Sequence, residues 1–196
     1  MNLLYHDVLM WLLPSKLLGI NVLGHCRSQA LHRMPTKIAQ KCCRLIACVS
    51  NYSRSQLLLT GNHAESRVVY DSIEVKAFMS KLTKSEAKAN LGYDENIKLM
   101  VSVGQISWHK GHDNAIRAFA KIADKYPQLR LYIAGGGPND ILNAYKSLAN
   151  ELGVYDKVRF SECQVSNISD IYRAADLTLS LTKVGEAFGL VPFESL

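Results

Sequence analysis

The sequence predicts an α/β protein whose carboxy-terminal part contains a parallel, Rossmann-type sheet with helices on its faces. From residue 97 onward, short apolar runs alternate with helical segments, which is the order found in parallel sheets. Two of these runs end in glycine, at Gly104 and at residues 135–137, and glycine permits close approach of the backbone to a ligand. The same pattern therefore predicts the fold class and a candidate ligand site.

The elements of this part are predicted in chain order. Thr83 and Glu86 have the spacing of a capping box, so a helix should cover residues 84–91 and stop at Gly92. We predict strands over residues 97–103, 129–134, 157–160 and 177–182, and helices over residues 113–126, 140–152 and 168–175. A last helix should begin after Gly189.

The amino-terminal part is predicted to contain shorter elements. Strands are expected over residues 20–23, 45–49 and 67–70, a basic helix over 35–44, and a helix over 52–60 capped by Ser50 or Asn51. The apolar run over residues 8–13 should be broken by Pro14, Ser15 and Lys16, and it is far too short for a membrane span. No secretory signal is expected.

Positive charge is concentrated in the first third of this 196-residue chain. Residues 1–70 carry eight lysines or arginines and two acidic residues, whereas the rest of the chain is balanced, so the net charge is +6. A basic segment suits an anionic partner such as a phospholipid surface or a phosphorylated acceptor, and a plain solvated basic face stays open. Nucleic acid is not expected as a partner.

The cysteines and histidines do not indicate a metal site. The five cysteines are odd in number and form no Cys-x-x-Cys pair, which indicates reduced thiols in a cytoplasmic protein (Cys26, Cys42, Cys43, Cys48 and Cys163). His109 and His112 flank Lys110 and Gly111, and we do not expect zinc there. The sequence also contains no Asp-x-Asp, a pattern that often holds the metal ion of a metal-diphosphate site.

Two carboxylates, Glu186 and Glu194, lie eight positions apart near the end of the sequence. On one continuous helix they would be about 12 Å apart. A glycosidase pair needs about 5 to 9.5 Å. We therefore predict Glu186 on a loop and Glu194 in a helix, where they would contact different parts of one extended ligand. A carboxylate is a good acceptor for a vicinal diol such as a ribose, although an ordinary loop glutamate and helix glutamate stay open.

The segment at residues 186–194 resembles the motif of glutamate, seven residues and glutamate in the family 4 retaining glycosyltransferases. This resemblance implies the two-domain GT-B fold. It also implies that Glu186 lies by the donor sugar and that Glu194 binds the ribose hydroxyls of the nucleotide. The diphosphate would be held by the backbone of Phe188, Gly189 and Leu190.

A second stretch, from Gly104 to Gly111, is similar to the family's phosphate-binding loop. Members typically have Gly-Arg and, a few residues later, Lys-Gly, with both basic residues on the diphosphate. The resemblance implies this role for Lys110, whose compact charge suits a phosphate, although a solvated loop lysine stays open. Gln105 stands where arginine is common, so it can donate a hydrogen bond but brings no charge.

Two further inferences depend on the resemblance. His25 is a candidate counterpart of a family histidine that follows a strand and lies near the acceptor and donor sugars; His32 competes for this role, and a structural histidine is the alternative for both. In the family, a stretch similar to the one near residues 71–80 passes from the first domain to the second. The resemblance therefore implies a partial amino-terminal domain at residues 1–75 and a nucleotide-sugar-binding domain, truncated at its end, at residues 76–196. Residues 160–163 would lie near the base.

The expected function is retaining transfer of a sugar from a UDP- or GDP-linked donor to a glycan or lipid-linked acceptor, as in polysaccharide biosynthesis. No cofactor is expected, and the protein should be cytoplasmic, with peripheral membrane contact through its basic part. A non-catalytic fragment or a split-enzyme subunit supplying a nucleotide half-site is the alternative. A nucleotide-sugar epimerase on the same fold is another. A nicotinamide dehydrogenase ranks last because residues 135–138 are not Gly-x-Gly-x-x-Gly.

Overall fold

The computed structural model describes residues 12, 14–27, 41–59, 65–161 and 167–196. The chain divides into two compact units. The amino-terminal unit comprises Met1–Ser72 together with Gly185–Gly189, and the carboxy-terminal unit comprises Ile73–Val184 together with Leu190–Leu196. The division at residue 75 into domains of separate function stays a prediction.

The amino-terminal unit is built on a small parallel sheet. Its elements are β1 (Leu23–Cys26), β2 (Leu45–Cys48), α1 (Asn51–Leu59) and β3 (Glu65–Val68), and the strand order is β1-β2-β3. The prediction of β2 and α1 is confirmed. The Oγ of Ser50 accepts from the Ser53 N–H at 3.0 Å, which satisfies a donor in the first turn of α1. Ile46, Cys48 and Leu57 are fully buried and form the core of this unit.

One prediction in this unit is wrong, the start of the first strand. Residues 14–17 are helical, and the Pro14 carbonyl accepts a hydrogen bond from the Leu18 N–H at 2.9 Å. The helix closes with Ile20 N–H bonded to the Ser15 carbonyl at 2.8 Å, which delays the first strand from the predicted residue 20 to Leu23. Most of the predicted helix over 35–44 lies outside the described residues.

The carboxy-terminal unit alternates helices and strands. Its elements are α2 (Lys84–Asn90), β4 (Lys98–Val103), α3 (His112–Ala120), β5 (Leu129–Ala134), α4 (Asn139–Glu151), β6 (Val158–Phe160), α5 (Ile168–Ala174), β7 (Leu177–Leu179) and α6 (Leu190–Glu194). All pairings are parallel and the strand order is β6-β5-β4-β7, which confirms the predicted Rossmann-type sheet. The predicted capping box at Thr83 and Glu86 is present.

Helices cover both faces of this sheet because its strands are apolar on both sides. Successive side chains of β4 point to opposite faces: Met100 packs with α3 and α4, and Leu99 and Val101 pack with α2 and α5. The buried residues that face α3 and α4 include Leu131, Ile133, Ile116, Phe119 and Tyr145, and those on the other face include Ala87, Tyr132, Ile171 and Ala174.

Two elements are shorter than predicted. α3 ends at Ala120 and does not continue to the predicted residue 126. Turns follow Ala120, and the Ile122 N–H donates to the Phe119 carbonyl three residues before it. β7 ends at Leu179, which pairs with Ser102, and the chain then leaves the sheet. Among the described residues, no helix combines the length and apolar character needed to cross a membrane.

Candidate functional site

The strand order places a topological switch point between β4 and β7. The chain runs from β4 to β5 and β6 on one side, then returns to the other side of β4 with β7. Open α/β sheets bind ligands outside the carboxyl ends of the strands at such a point. A cleft of about 640 Å³ opens beside this point, at the carboxyl ends of β4 and β5, and is lined by residues 103–105, residues 134–137 and Ile168. The predicted residues Gly104 and Gln105 therefore lie in the cleft of the carboxy-terminal unit.

Glycines let the loops after β4 and β5 pack directly on each other. A Cβ at Gly135 would overlap the carbonyl of Gly104, and one at Gly137 would overlap the carbonyl of Ile106. The loops are joined by hydrogen bonds from Gly104 N–H to the Ala134 carbonyl and from Ile106 N–H to the Gly136 carbonyl, both 2.9 Å. The glycine-rich turn therefore shapes the cleft through loop packing.

Lys110 reaches back toward this cleft. It ends a short 3-10 turn, Trp108–Lys110, and its Cγ and Cδ lie 3.5 Å from the position that a Cβ on Gly104 would occupy. The aliphatic stem therefore packs beside Gly104, whose backbone lines the cleft. Gln105 is exposed on the same loop.

Gly111 fixes the geometry behind Lys110. Its φ of 71° is in the left-handed region, and a Cβ there would overlap the carbonyl of Leu181. A second contact between the same two segments is a hydrogen bond from the Lys183 N–H to the His109 carbonyl at 2.8 Å. These two contacts join the loop after β4 to the segment after β7, next to Lys110.

A buried histidine supports the loop from below. His112 is fully buried, with Nε2 3.2 Å from the Gln105 carbonyl and Nδ1 2.9 Å from the Ser102 Oγ. A carbonyl only accepts, so Nε2 carries the proton that it donates to Gln105, and in the neutral ring Nδ1 accepts from the Ser102 hydroxyl. Burial lowers the pKa of His112, which favours this neutral form.

A tyrosine from α4 completes this support. The Tyr145 hydroxyl donates to the Ser107 carbonyl at 2.9 Å, and its ring meets the Trp108 ring edge-on at 5.2 Å. Sequence reasoning missed His112 and Tyr145 as loop supports, and it considered His112 only as a metal ligand. A polar Ser102 in an otherwise apolar strand was the available signal. The described residues contain no cluster of three groups suited to a metal ion.

Glu194 lies at the end of α6, and Glu186 lies on the preceding loop, as the sequence predicts. The Tyr172 hydroxyl, on α5, donates to Oε2 of Glu194 at 2.9 Å within the carboxy-terminal unit. Burial and this hydrogen bond raise the pKa of Tyr172, which stays protonated at neutral pH. The two roles predicted for the glutamates stay predictions.

The loop Gly185–Gly189 groups with the amino-terminal unit. The Phe188 ring lies 6.2 Å from the Tyr70 ring, centroid to centroid. Oε2 of Glu186 lies 3.6 Å from the position that a Cβ on Gly189 would occupy. The next residue, Leu190, begins α6. The predicted contacts of Phe188, Gly189 and Leu190 with a diphosphate stay predictions.

His25 lies inside a strand and does not follow one. It is the third residue of β1, half-buried, and pairs in register with Ala47. The expectation that His25 follows a strand is wrong because β1 begins three residues later than predicted, at Leu23. His32 lies outside the described residues.

The comparison with known families agrees with this geometry. Residues 83–196 match the family described as glycosyl transferases group 1. The chain belongs to this family. Its α/β fold is that of the GT-B glycosyltransferases, as the sequence predicted.

Among curated relatives, this chain is 34% identical over 125 residues to mannosylfructose-phosphate synthase of Agrobacterium fabrum, and the match covers 60% of this chain and 27% of that protein. It is 35% identical over 114 residues to D-inositol 3-phosphate glycosyltransferase of Corynebacterium glutamicum, and that match covers 56% of this chain and 27% of that protein. The chain thus matches about a quarter of the length of these relatives.

Two solved structures show the same fold. Anabaena Alr3699/HepE, in complex with UDP and glucose, superposes with a TM-score of 0.85 at 19% identity, covering 96% of this chain and 53% of that one. Sucrose-phosphate synthase from Thermosynechococcus elongatus superposes with a TM-score of 0.78 at 19% identity, covering 90% and 48%. The chain therefore matches about half of each.

Proposed function

We propose that this chain forms part of a retaining glycosyltransferase that moves a sugar from a UDP- or GDP-linked donor to a glycan or lipid-linked acceptor. The observation that carries the proposal is the stem of Lys110 packed beside Gly104, whose backbone lines the cleft at the carboxyl ends of β4 and β5. Glycine-rich backbone beside a compact positive charge is a combination that suits a diphosphate. The UDP held by the similar Anabaena protein supports a nucleotide donor.

The chemistry proposed for the site is stabilisation of a leaving group. When the bond between the sugar C1 and the diphosphate oxygen breaks, negative charge grows on the diphosphate and the sugar gains oxocarbenium character. The ammonium of Lys110 would stabilise that charge, and His112 and Tyr145 would hold the loop that carries it. In this proposal Glu186 lies by the donor sugar, Glu194 binds the ribose, and His25 lies toward the acceptor.

Nucleotide binding tests the proposal. We would titrate UDP and GDP into the chain by calorimetry, comparing wild type with Lys110→Ala. A charge-assisted hydrogen bond is worth about 1.5 to 3 kcal/mol, so affinity should fall about 10- to 150-fold. Lys121→Ala is the matched control, because Lys121 is exposed just beyond the opposite end of α3. Equal affinity in wild type and Lys110→Ala would contradict the phosphate role.

Retention and acceptor class need a second experiment. UDP- and GDP-sugars would be incubated with glycan and lipid-linked acceptors, and product formation would be followed together with release of the nucleoside diphosphate. An α-linked donor should give an α-linked product in the proton NMR spectrum. A β-linked product would contradict retention, and isomerised donor in the absence of acceptor would indicate an epimerase.

A further inference from the structure

The tyrosine on α5 and the glutamate that ends α6 form one hydrogen-bonded pair. The Tyr172 side chain is only 8% exposed, and its hydroxyl lies 2.9 Å from Oε2 of Glu194. An ionised carboxylate can only accept, so Tyr172 donates the proton in this bond. Both residues belong to the carboxy-terminal unit.

The geometry leaves the second carboxylate oxygen available. Among the residues that the structure describes, Oε1 of Glu194 has no hydrogen-bond donor, whereas Oε2 has Tyr172. The Glu194 side chain is half-buried, so its carboxylate is still open to an external group. One oxygen is thus anchored to the protein while the other can accept from a diol.

The hydroxyl of Tyr172 is not required for packing. A phenylalanine ring would fill the same buried space on α5, and a buried hydroxyl is favourable only where it has a partner. Glu194 lies at the carboxyl end of a five-residue helix, where few backbone contacts restrain its side chain. The hydrogen bond therefore restricts the rotamers of Glu194.

We propose that Tyr172 is a positioning residue that holds the Glu194 carboxylate in the orientation in which it accepts the ribose hydroxyls of a nucleoside diphosphate. This inference rests on the proposed function, because it takes Glu194 as the ribose ligand. Tyr172 does not touch the nucleotide in this proposal and acts only through Glu194.

The test uses sugar discrimination, which a merely structural role would not change. We would measure the affinity of wild type and Tyr172→Phe for UDP, GDP and their 2′-deoxy counterparts by calorimetry. Tyr172→Phe should bind the ribonucleotide about 5- to 20-fold more weakly and the 2′-deoxynucleotide only about twofold more weakly. The preference for ribose over deoxyribose should therefore shrink. Tyr155→Phe, at an exposed tyrosine before β6, is the matched control and should leave both affinities unchanged.

A double-variant cycle locates the effect. Glu194→Gln should remove the preference for ribose, and adding Tyr172→Phe to Glu194→Gln should then have no further effect on binding. If Tyr172→Phe proves too unstable to purify, Tyr172→Met provides a second arm, because it also removes the hydroxyl and fills much of the same buried space. The preference for ribose should shrink in the same way, and Glu194 itself is left unchanged.

Each outcome separates this inference from the proposed function. Undetectable binding of both ribonucleotides by wild type, or an unchanged ribose preference in Glu194→Gln, overturns the nucleotide role itself. Loss of preference in Glu194→Gln with wild-type preference in Tyr172→Phe overturns only the positioning role. Equal weakening of ribo- and deoxynucleotides by Tyr172→Phe, in both backgrounds, also overturns it, because that result indicates general destabilisation.

Discussion

The ammonium of Lys88 lies 2.8 Å from Oδ2 of Asp176 and is almost completely buried, with 3% of the side chain exposed. The same ammonium donates to the Ile97 carbonyl at 2.6 Å, and Oδ2 of Asp176 also accepts from the Leu99 N–H. Lys84 pairs with the other carboxylate oxygen at 2.8 Å. This cluster joins α2 to the amino-terminal ends of β4 and β7.

Asp176→Asn should strongly destabilise the carboxy-terminal unit. The substitution leaves the buried ammonium of Lys88 without its counter-charge, and breaking such a pair costs about 3 kcal/mol. Urea unfolding followed by circular dichroism measures the change. Asp124→Asn is the control, because Asp124 is 99% exposed in its pair with Lys157 and should unfold like wild type. Equal midpoints for both variants would contradict a stabilising role for the cluster.

The same carboxylate should dominate the loss of stability in acid. Burial would raise the pKa of Asp176, but hydrogen bonds from Lys84, Lys88 and the Leu99 N–H outweigh it and hold the pKa well below its usual range. The stabilisation is therefore present above the unfolded-state pKa of about 3.9 and is lost as pH falls below it. Between about pH 4 and 2, wild type should lose stability more steeply than Asp176→Asn. Parallel curves would show that other carboxylates control acid unfolding.

His112 should give the stability a second, milder pH dependence. Burial lowers its pKa in the folded state, so below about pH 6.5 the unfolded chain binds a proton that the folded chain does not. Stability should therefore decrease as pH falls from about 6.5 toward 5. His112→Asn should flatten this part of the curve, whereas His109→Asn, at an exposed position, should keep it. A slope that persists in His112→Asn would assign it to another group.

Gly135→Ala should damage the cleft as well as the stability. The new methyl group would overlap the Gly104 carbonyl, and overpacking of this kind costs about 1 to 3 kcal/mol. Because the loops shift together, UDP or GDP should bind at least about tenfold more weakly. Gly153→Ala is the control: its φ of 68° makes alanine strained, but no atom lies within 4 Å, so it should lose stability and keep its affinity.

Gln105→Arg should strengthen nucleotide binding. Gln105 is exposed on the loop that carries Lys110, and an added guanidinium can pair with a phosphate. We expect affinity for UDP or GDP to rise about 3- to 10-fold at low salt, and the gain to shrink as salt is raised. Gln105→Lys tests whether charge alone is sufficient. An unchanged affinity in both variants would place the diphosphate away from residue 105.

The sequence predicted most of the carboxy-terminal unit because its local patterns agree with its packing. β5 covers the predicted residues 129–134, and the capping box at Thr83 forms with its glutamate partner. The end of α3 was misplaced because the residues after Ala120 retain helix-forming character although they form turns. The first strand was misplaced because β1 is set by its pairing with β2, a contact that residues 20–23 do not encode locally.

The candidate site was predicted less completely. Spacing and resemblance indicated Gly104 and Lys110, since loop glycines and a lysine leave a linear pattern. The supports, His112 and Tyr145, are separated from the carbonyls that they bind by a change of element, so only the folded chain brings them together. Tyr172 was missed for the same reason, because 22 residues separate it from Glu194.

The pairing of β7 with β4 also affects how the chain folds as it is synthesised. Asp176 N–H bonds to the Leu99 carbonyl, and the Leu99 N–H bonds to the Asp176 carboxylate, across a separation of 77 residues. Until residue 179 has left the ribosome, β4 has one unpaired edge, while β5 already covers the other. Long-range parallel pairing is slow, so this edge stays open to chaperones and to aggregation until late in synthesis.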